Sequence, residues 1–471
     1  MFIVELKSIV KTCQPRKDVL GGHFAAADFA ARLEQVVSDP AGYADYGDPS
    51  TFFALTYPTA GMKRLLTGIF GRLSAQDVPG AENPVVRFQT SFGGGKTHGL
   101  IAAYHVAKGF RPGPEFFDDG FDVNALPSDM RVAALVGEQI DPVNGAEIGG
   151  ETAYTLWGAI GAQLGSDAWG EVKKSDEERT PPGTGAIKKM LAGKPTVIII
   201  DEIAQYLRVL SSAGSDQVKN LASSLPAFLK SLFEVASEKG SRLVVVVTLA
   251  TEKDAYGKET DQVQSLLDST VGEAGSILAR QEAVLIPAKD DEIAAILRRR
   301  LFDSIDETAA KTAGAEFKAL YESLVNAGET LPSGAGQPDT YGAKIAAAYP
   351  FHPELVRVLD SRIATIPTFQ RARGALRLLA AAIHHIWDVS SDTVILNIAD
   401  LPLSAEKVLY ELTERLQKER FKQVAAVDIA GPNLDHSSDV GRAAFGTTSL
   451  FADPLMASSS HGGRQGSQSL V

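Results

Sequence analysis

Five short runs of apolar, largely β-branched residues constrain the fold of this chain more than anything else in it: VVRF at 85–88, RVAALV at 131–136, TVIIID at 196–201, RLVVVVTLA at 242–250 and EAVLIP at 282–287. They are continuous rather than alternating, so both faces of each strand need covering, which is the pattern of a parallel sheet with helices on either side. Between the runs, 97–108 and 217–239 carry apolar residues at helical spacing, and Gly109 and Gly240 stand where helices stop. Residues 110–130, with several Pro, Gly and Asp, read as a loop. An α/β core over 81–288 is the expectation.

Beyond Pro287 the strand signal nearly vanishes and helical pattern takes over, from KDDEIAAILRRRLF through FHPELVRVLDSRI to RARGALRLLAAAIHHIW. This predicts a mostly α-helical domain over 289–425, with a turn-rich connector at 327–340. From Met456 the sequence MASSSHGGRQGSQSLV has almost nothing to bury and is expected to be disordered.

Composition narrows the functional classes. A chain of 471 residues has material for roughly three average domains. Its single cysteine, Cys13, rules out an intrachain disulfide and a multi-cysteine zinc site, and suits a reducing cytoplasm. The opening MFIVELKSIVKT returns to charge too soon for a signal peptide or an anchor, and no stretch approaches the ~18–20 apolar residues of a membrane helix. A formal net charge of -12 argues against a surface built to clamp nucleic acid as a whole, although a local basic patch would suffice.

The chemistry is concentrated after the first run. TSFGGGKTH joins a strand to a helix, and a glycine-rich turn at a helix start aims several backbone N–H groups and the positive end of the helix dipole at one spot, which suits an anion. Gly93, Gly94 and Gly95 let the backbone wrap closely around phosphate oxygens. Lys96 would reach the β- and γ-phosphates, and the Thr97 hydroxyl would hold Mg²⁺. His98, next in line, would either contact the nucleotide or simply begin the helix. Thr90 stands where the strict phosphate-loop pattern has its first glycine, a position that helps the loop turn but places no functional group. Taken alone, the segment also reads as a glycine-rich turn with a helix-capping Thr.

About a hundred residues later, IIIDE puts Asp201 at the end of a buried strand with Glu202 beside it, as a Mg²⁺-water ligand and a water-activating base require. A helix cap is the plainer reading of Asp201. Thr248 ends the next strand, at the edge where open α/β sheets bind ligands, and would orient the attacking water or touch the γ-phosphate; a plain β-branched strand residue fits it equally well. Arg280 precedes the EAVLIP run, where a neighbouring subunit's nucleotide would be in reach, and Arg377 in RGALR opens a helix of the α-helical domain. Either would serve as an arginine finger or sensor, against the ordinary alternative of a surface ion pair. The adjacent His384 and His385 lie on different helix faces and have no metal-binding spacing around them.

In this order, the loop, IIIDE, strand-end Thr and RGALR resemble the AAA+ division of P-loop ATPases. More narrowly, CQPRKDVL, YGDPSTFFALTYPT, SFGGGKTH, TLWGAIGAQLG, IIIDEIAQYL, TLATEKDAYG, YPFHPELVRVLDSRI and FQRARGALRLLA resemble a large bacterial and archaeal predicted-ATPase family catalogued as a domain of unknown function. The resemblance covers about residues 10–425, and the family tolerates a non-glycine residue at the Thr90 position. It implies a P-loop core at 81–288, preceded by a family-specific segment at 1–80 packing on that core and followed by an α-helical lid at 289–425. Family members are usually longer, so 426–471 is expected to be a partial C-terminal region ending in a disordered tail. Also implied are Mg²⁺-dependent ATP hydrolysis, homo-oligomers, and association with a DNA methyltransferase or other phage-defence proteins, since such genes are often neighbours, with any DNA contact indirect. The rival readings are a nucleotide-gated switch with little turnover and, last, a DNA translocase.

Overall fold

In a computed structural model of the chain, the described residues are 6–22, 31–90, 95–212, 216–250, 290–329, 331, 335–363, 372–413 and 422. Their strands are β1 (Cys13–Pro15), β2 (Val85–Thr90), β3 (Arg131–Val136), β4 (Ala146–Ile148), β5 (Glu151–Ala153), β6 (Thr196–Asp201), β7 (Leu243–Ala250) and β8 (Phe302–Ile305). Four of them form a parallel sheet in the order β2-β7-β6-β3. The EAVLIP run at 282–287 lies outside the described residues.

Why the runs had to be apolar throughout is visible in the packing. Ala133, Leu135, Ile198, Ile200, Val245 and Val247 enter a core shared with Trp157, Ile160, Phe228 and Leu232. Their alternating neighbours Val132, Ala134, Val197, Ile199, Val244 and Val246 enter a second core with Phe70, Leu100 and Ile101. Successive strand side chains point to opposite faces, so a sheet covered on both sides leaves no position for a polar residue until the strand ends. Each fully buried Val, Leu or Ile contributes roughly 1.5–3 kcal/mol of transfer free energy. The architecture is mixed α/β, with helices on both faces of the parallel sheet.

The helix Lys96–Ala107 has no polar stripe because it is sandwiched: Leu100, Ile101, Ala102, Ala103, Val106 and Ala107 are buried. Packed against it lie Leu33–Ser38, Pro49–Ala54 and Ala60–Leu73, all within the same core. Asp48 and Thr59 cap the last two helices through bonds from the Thr51 and Met62 N–H groups, at 2.7 and 3.2 Å. Arg72 then donates to the carbonyls of Ala236 at 2.6 Å and Leu243 at 3.2 Å, anchoring the Ala60–Leu73 helix to the entry of β7. Gly109 and Gly240 follow their helices with φ of 107° and 81°, conformations that favour a residue without Cβ.

Two compact units divide the chain, 27–292 and 1–26 joined with 293–471. The family resemblance implies one segment over 1–80; among the described residues, 6–22 fall in the mainly helical unit and 31–80 in the sheet unit. The physical reason is a ladder between segments nearly three hundred residues apart. β1 pairs antiparallel with β8, Cys13 opposite Ile305, and neither three- or four-residue strand has enough periodicity to announce itself.

The YPFHP run closes this second unit. The Tyr349 and Thr12 hydroxyls share a hydrogen bond of 2.5 Å, Leu396 N–H donates to the Pro350 carbonyl at 2.8 Å, and His352 N–H donates to the Leu396 carbonyl at 2.9 Å. Burial pushes the Cys13 thiol up to about 11, so it is protonated and unreactive at neutral pH. His352 caps the Pro353–Val358 helix, its Nδ1 accepting from Glu354 N–H at 3.2 Å, which places its proton on Nε2, 3.3 Å from the Tyr321 hydroxyl.

Burial holds both His352 and His105 below the ordinary histidine value of 6.5. A histidine buried neutral binds its proton more readily in the unfolded chain, so its contribution is complete above 6.5 and falls as pH drops through the lowered folded value. We expect urea unfolding midpoints to decline between pH 7.5 and pH 5.5, and His352→Asn, which keeps a cap but cannot titrate, to show a shallower decline. Parallel pH profiles for the two proteins would show that His352 is not buried neutral.

Candidate active site

All four sheet strands run parallel, so their carboxyl ends lie along one edge. β2 leads there into the glycine-rich turn. Residues 91–94, including Gly93 and Gly94, lie outside the described residues, and the description resumes at Gly95. Gly95 is the N-cap of the Lys96–Ala107 helix with φ 77°, and among the described residues no atom outside its chain neighbours stands within 4 Å of where its Cβ would be. A twelve-residue helix thus starts at the carboxyl edge of the sheet.

β7 lies between β2 and β6, and this strand order assembles the acidic half of the site. The β6–β7 ladder runs to Ile200 opposite Val247. At the next position side chains take over from backbone: the Thr248 hydroxyl donates to Asp201 Oδ1 and accepts from Glu202 N–H at 2.9 Å. Thr248 is 1% exposed and Asp201 6%, whereas Glu202 is exposed. Glu202 has φ 54°, a left-handed backbone uncommon for a residue with a Cβ.

Burial raises the Asp201 carboxyl above the ordinary carboxylate value, opposed by the Thr248 hydroxyl, the positive charge of Lys96 and the Glu202 N–H. The carboxylate of Glu34, on the Leu33–Ser38 helix, pushes it further up. Lys96, Asp201, Glu202 and Thr248 are therefore gathered at one place. Glu34 was not legible as part of it, because the only signal in its own stretch is a helical one. One Asp201 oxygen takes the Thr248 hydroxyl, and no side chain among the described residues hydrogen-bonds to the other.

The remaining candidates fall differently. Thr97 is half-buried in the first turn of the Lys96–Ala107 helix. His98 faces the N-terminal helices: its Nε2 lies 2.8 Å from the Thr56 hydroxyl, which itself donates to the Phe52 carbonyl at 2.6 Å, and its ring packs on Phe52 with centroids 4.6 Å apart. Arg280 lies outside the described residues. Arg377 belongs to the other unit, 2% exposed, with Nε 3.1 Å from Glu411 Oε2. It is a core ion pair rather than a surface one. His384 Nδ1 lies 3.0 Å from the Leu20 carbonyl, as a satisfied core histidine does.

Among the described residues no group of three or more His, Cys, Asp or Glu is placed to hold a metal ion. No helix among them is long and apolar enough to cross a membrane.

The model of the DUF499 N-terminal domain matches residues 7–115 and 118–283, and that of the DUF499 second domain matches 288–444. The chain belongs to the DUF499 family. Comparison with curated proteins and with solved structures yields no match. The family boundary between 283 and 288 falls close to the junction of the compact units at 292, and every element of the candidate site described above lies in the DUF499 N-terminal domain.

Removing one member of a buried ion pair strands the other, so Arg377→Leu should cost ~3–5 kcal/mol, and Arg377→Leu combined with Glu411→Met should recover most of it. Urea denaturation of the two variants measures this. A double variant no more stable than the single one would show that the pair does not act as a unit.

Proposed function

We propose that this DUF499 protein is a Mg²⁺-dependent ATPase of the AAA+-like P-loop type. The observation that carries the reading is the convergence of the Lys96 charge on the buried Asp201 carboxylate, with Glu202 beside it, at the sheet edge where the Lys96–Ala107 helix begins. An anion site made of a helix start and a lysine suits a polyphosphate. A carboxylate next to it suits the cation that accompanies one.

Mg²⁺ takes hard oxygen ligands and is held by one or two protein groups together with substrate phosphates and water. Thr97 and the Asp201 carboxylate would hold it, directly or through water. When bound, the ion supplies charge neutralisation across the phosphates. The chain's own residues do the rest. Lys96 offsets negative charge on the phosphates, and the Glu202 carboxylate, exposed at the edge, orients a water molecule and accepts its proton.

In this reading the mainly helical unit is a lid, Arg280 is a finger acting across a homo-oligomer interface, and hydrolysis drives or gates a DNA-modification or phage-defence complex in the cytoplasm. That last element rests on the family resemblance drawn from the sequence.

Lys96→Ala should lower affinity for a fluorescent ATP analogue at least tenfold, because the polyphosphate loses its main side-chain cation. Glu202→Gln should bind with near-parent affinity and lose ~10²-fold or more in steady-state phosphate release, since an amide keeps the shape but takes no proton. Unchanged binding in the first variant, or parent turnover in the second, would overturn the reading.

A further inference from the structure

Glu202 combines two features that do not belong together locally. It immediately precedes the Ile203–Ser212 helix, its carbonyl accepting from Gln205 N–H at 2.9 Å, yet its φ is 54°, whereas the residue before a helix normally has an extended backbone. An L-residue keeps such a conformation only where its surroundings over-determine it, and such residues cluster at functional sites.

Two neighbouring strands supply the determination. From β7, the Thr248 hydroxyl accepts the Glu202 N–H at 2.9 Å while donating to Asp201 Oδ1. From the end of β3, Gly137 presses on the other side of the same residue: a Cβ at 137 would run into the Glu202 carbonyl oxygen and stand 2.9 Å from Tyr206 N. Both obstacles are backbone, which no side-chain rotation relieves. Gly137 follows RVAALV directly, and a glycine closing an apolar run is the sequence mark of a close backbone approach.

We infer that Thr248 and Gly137 are positioning residues that clamp Glu202 from both sides, so that the carboxylate pair of this site has one fixed geometry before any ligand binds. The inference rests on the ATPase reading above and assigns Thr248 a different task from touching phosphate or water. One hydroxyl, with its proton given to Asp201 and a lone pair to Glu202 N–H, orients the Asp201 carboxylate and holds the Glu202 backbone together. Gly137 leaves room for the Glu202 carbonyl where a Cβ would collide with it. A clamp of this kind affects turnover rather than nucleotide capture, which belongs to Lys96 and the glycine-rich turn.

The test is steady-state phosphate release and fluorescent ATP-analogue binding on the full chain, for the parent, Thr248→Ser, Thr248→Val and Gly137→Ala. Thr248→Ser keeps the hydroxyl and should retain kcat within about threefold. Thr248→Val, equal in shape, should lose kcat ~10²-fold with KM and analogue affinity changed less than threefold, the pattern of a group that aids only the reacting state. Gly137→Ala should show the same split. Thermal unfolding of each variant separates this from general destabilisation: a kcat loss that tracks Tm across the series, or one shared equally by Ser and Val, overturns the clamp. Parent kcat in Thr248→Val overturns it too while leaving the ATPase reading standing. A parent protein that neither binds nor hydrolyses ATP overturns both.

Discussion

A carboxylate that is 6% exposed at the end of a strand buried along its whole length is the constraint around which this site is arranged. Leaving Asp201 unassisted there would cost several kcal/mol or force it to stay protonated. Three neighbours work against that penalty: the Thr248 hydroxyl, the Lys96 charge and the Glu202 N–H. The Glu202 N–H is supplied by the next residue, but Thr248 and Lys96 come from distant segments, and the sheet order that puts β7 between β2 and β6 brings them to Asp201. The strand order is thus the physical precondition of the chemistry.

The same logic explains the layer of helices before β2. Phe52, Phe53 and Phe70 share a core with the Lys96–Ala107 helix, and the Thr56–His98 bond ties the Pro49–Ala54 segment to the first turn of that helix. In the proposed reading, a helix start packed in this way offers its N–H groups to an anion without reorganisation. In the other unit, YPFHP has a packing role: its hydroxyl, carbonyl and imidazole bind Thr12, Leu396 and the Pro353–Val358 helix. A run that marks the family can therefore be structural rather than chemical.

Much of this was legible before any coordinates. Continuous β-branched runs can be satisfied only by burial on both faces, and the two cores on either side of Ile198 and Ile199 show that burial. The helices at 96–107 and 216–237, and the turns at Gly109 and Gly240, follow from local preference and stand within a residue or two of the pattern. Less legible were β1 and β8, the β4–β5 hairpin and the Arg377–Glu411 pair, because each depends on a partner that no local pattern names. Thr248 could be read equally as a plain strand residue or a ligand contact. Its position between Asp201 and Glu202 depends on register, and register is a property of two strands, not one.

By itself the sequence determined the composition of the site and the class of its fold. Gly95, Lys96, Thr97, Asp201 and Glu202 stand at strand ends or helix starts because hydrophobic periodicity places those boundaries, and periodicity is local. The tertiary structure alone decided which of them meet, through the β2-β7-β6-β3 order, and what holds them, through the left-handed backbone of Glu202 between Thr248 and Gly137. Strand order and close backbone approach are contacts between segments tens to hundreds of residues apart. Their energy appears only when the chain is closed on itself, so no reading of one segment at a time can contain it.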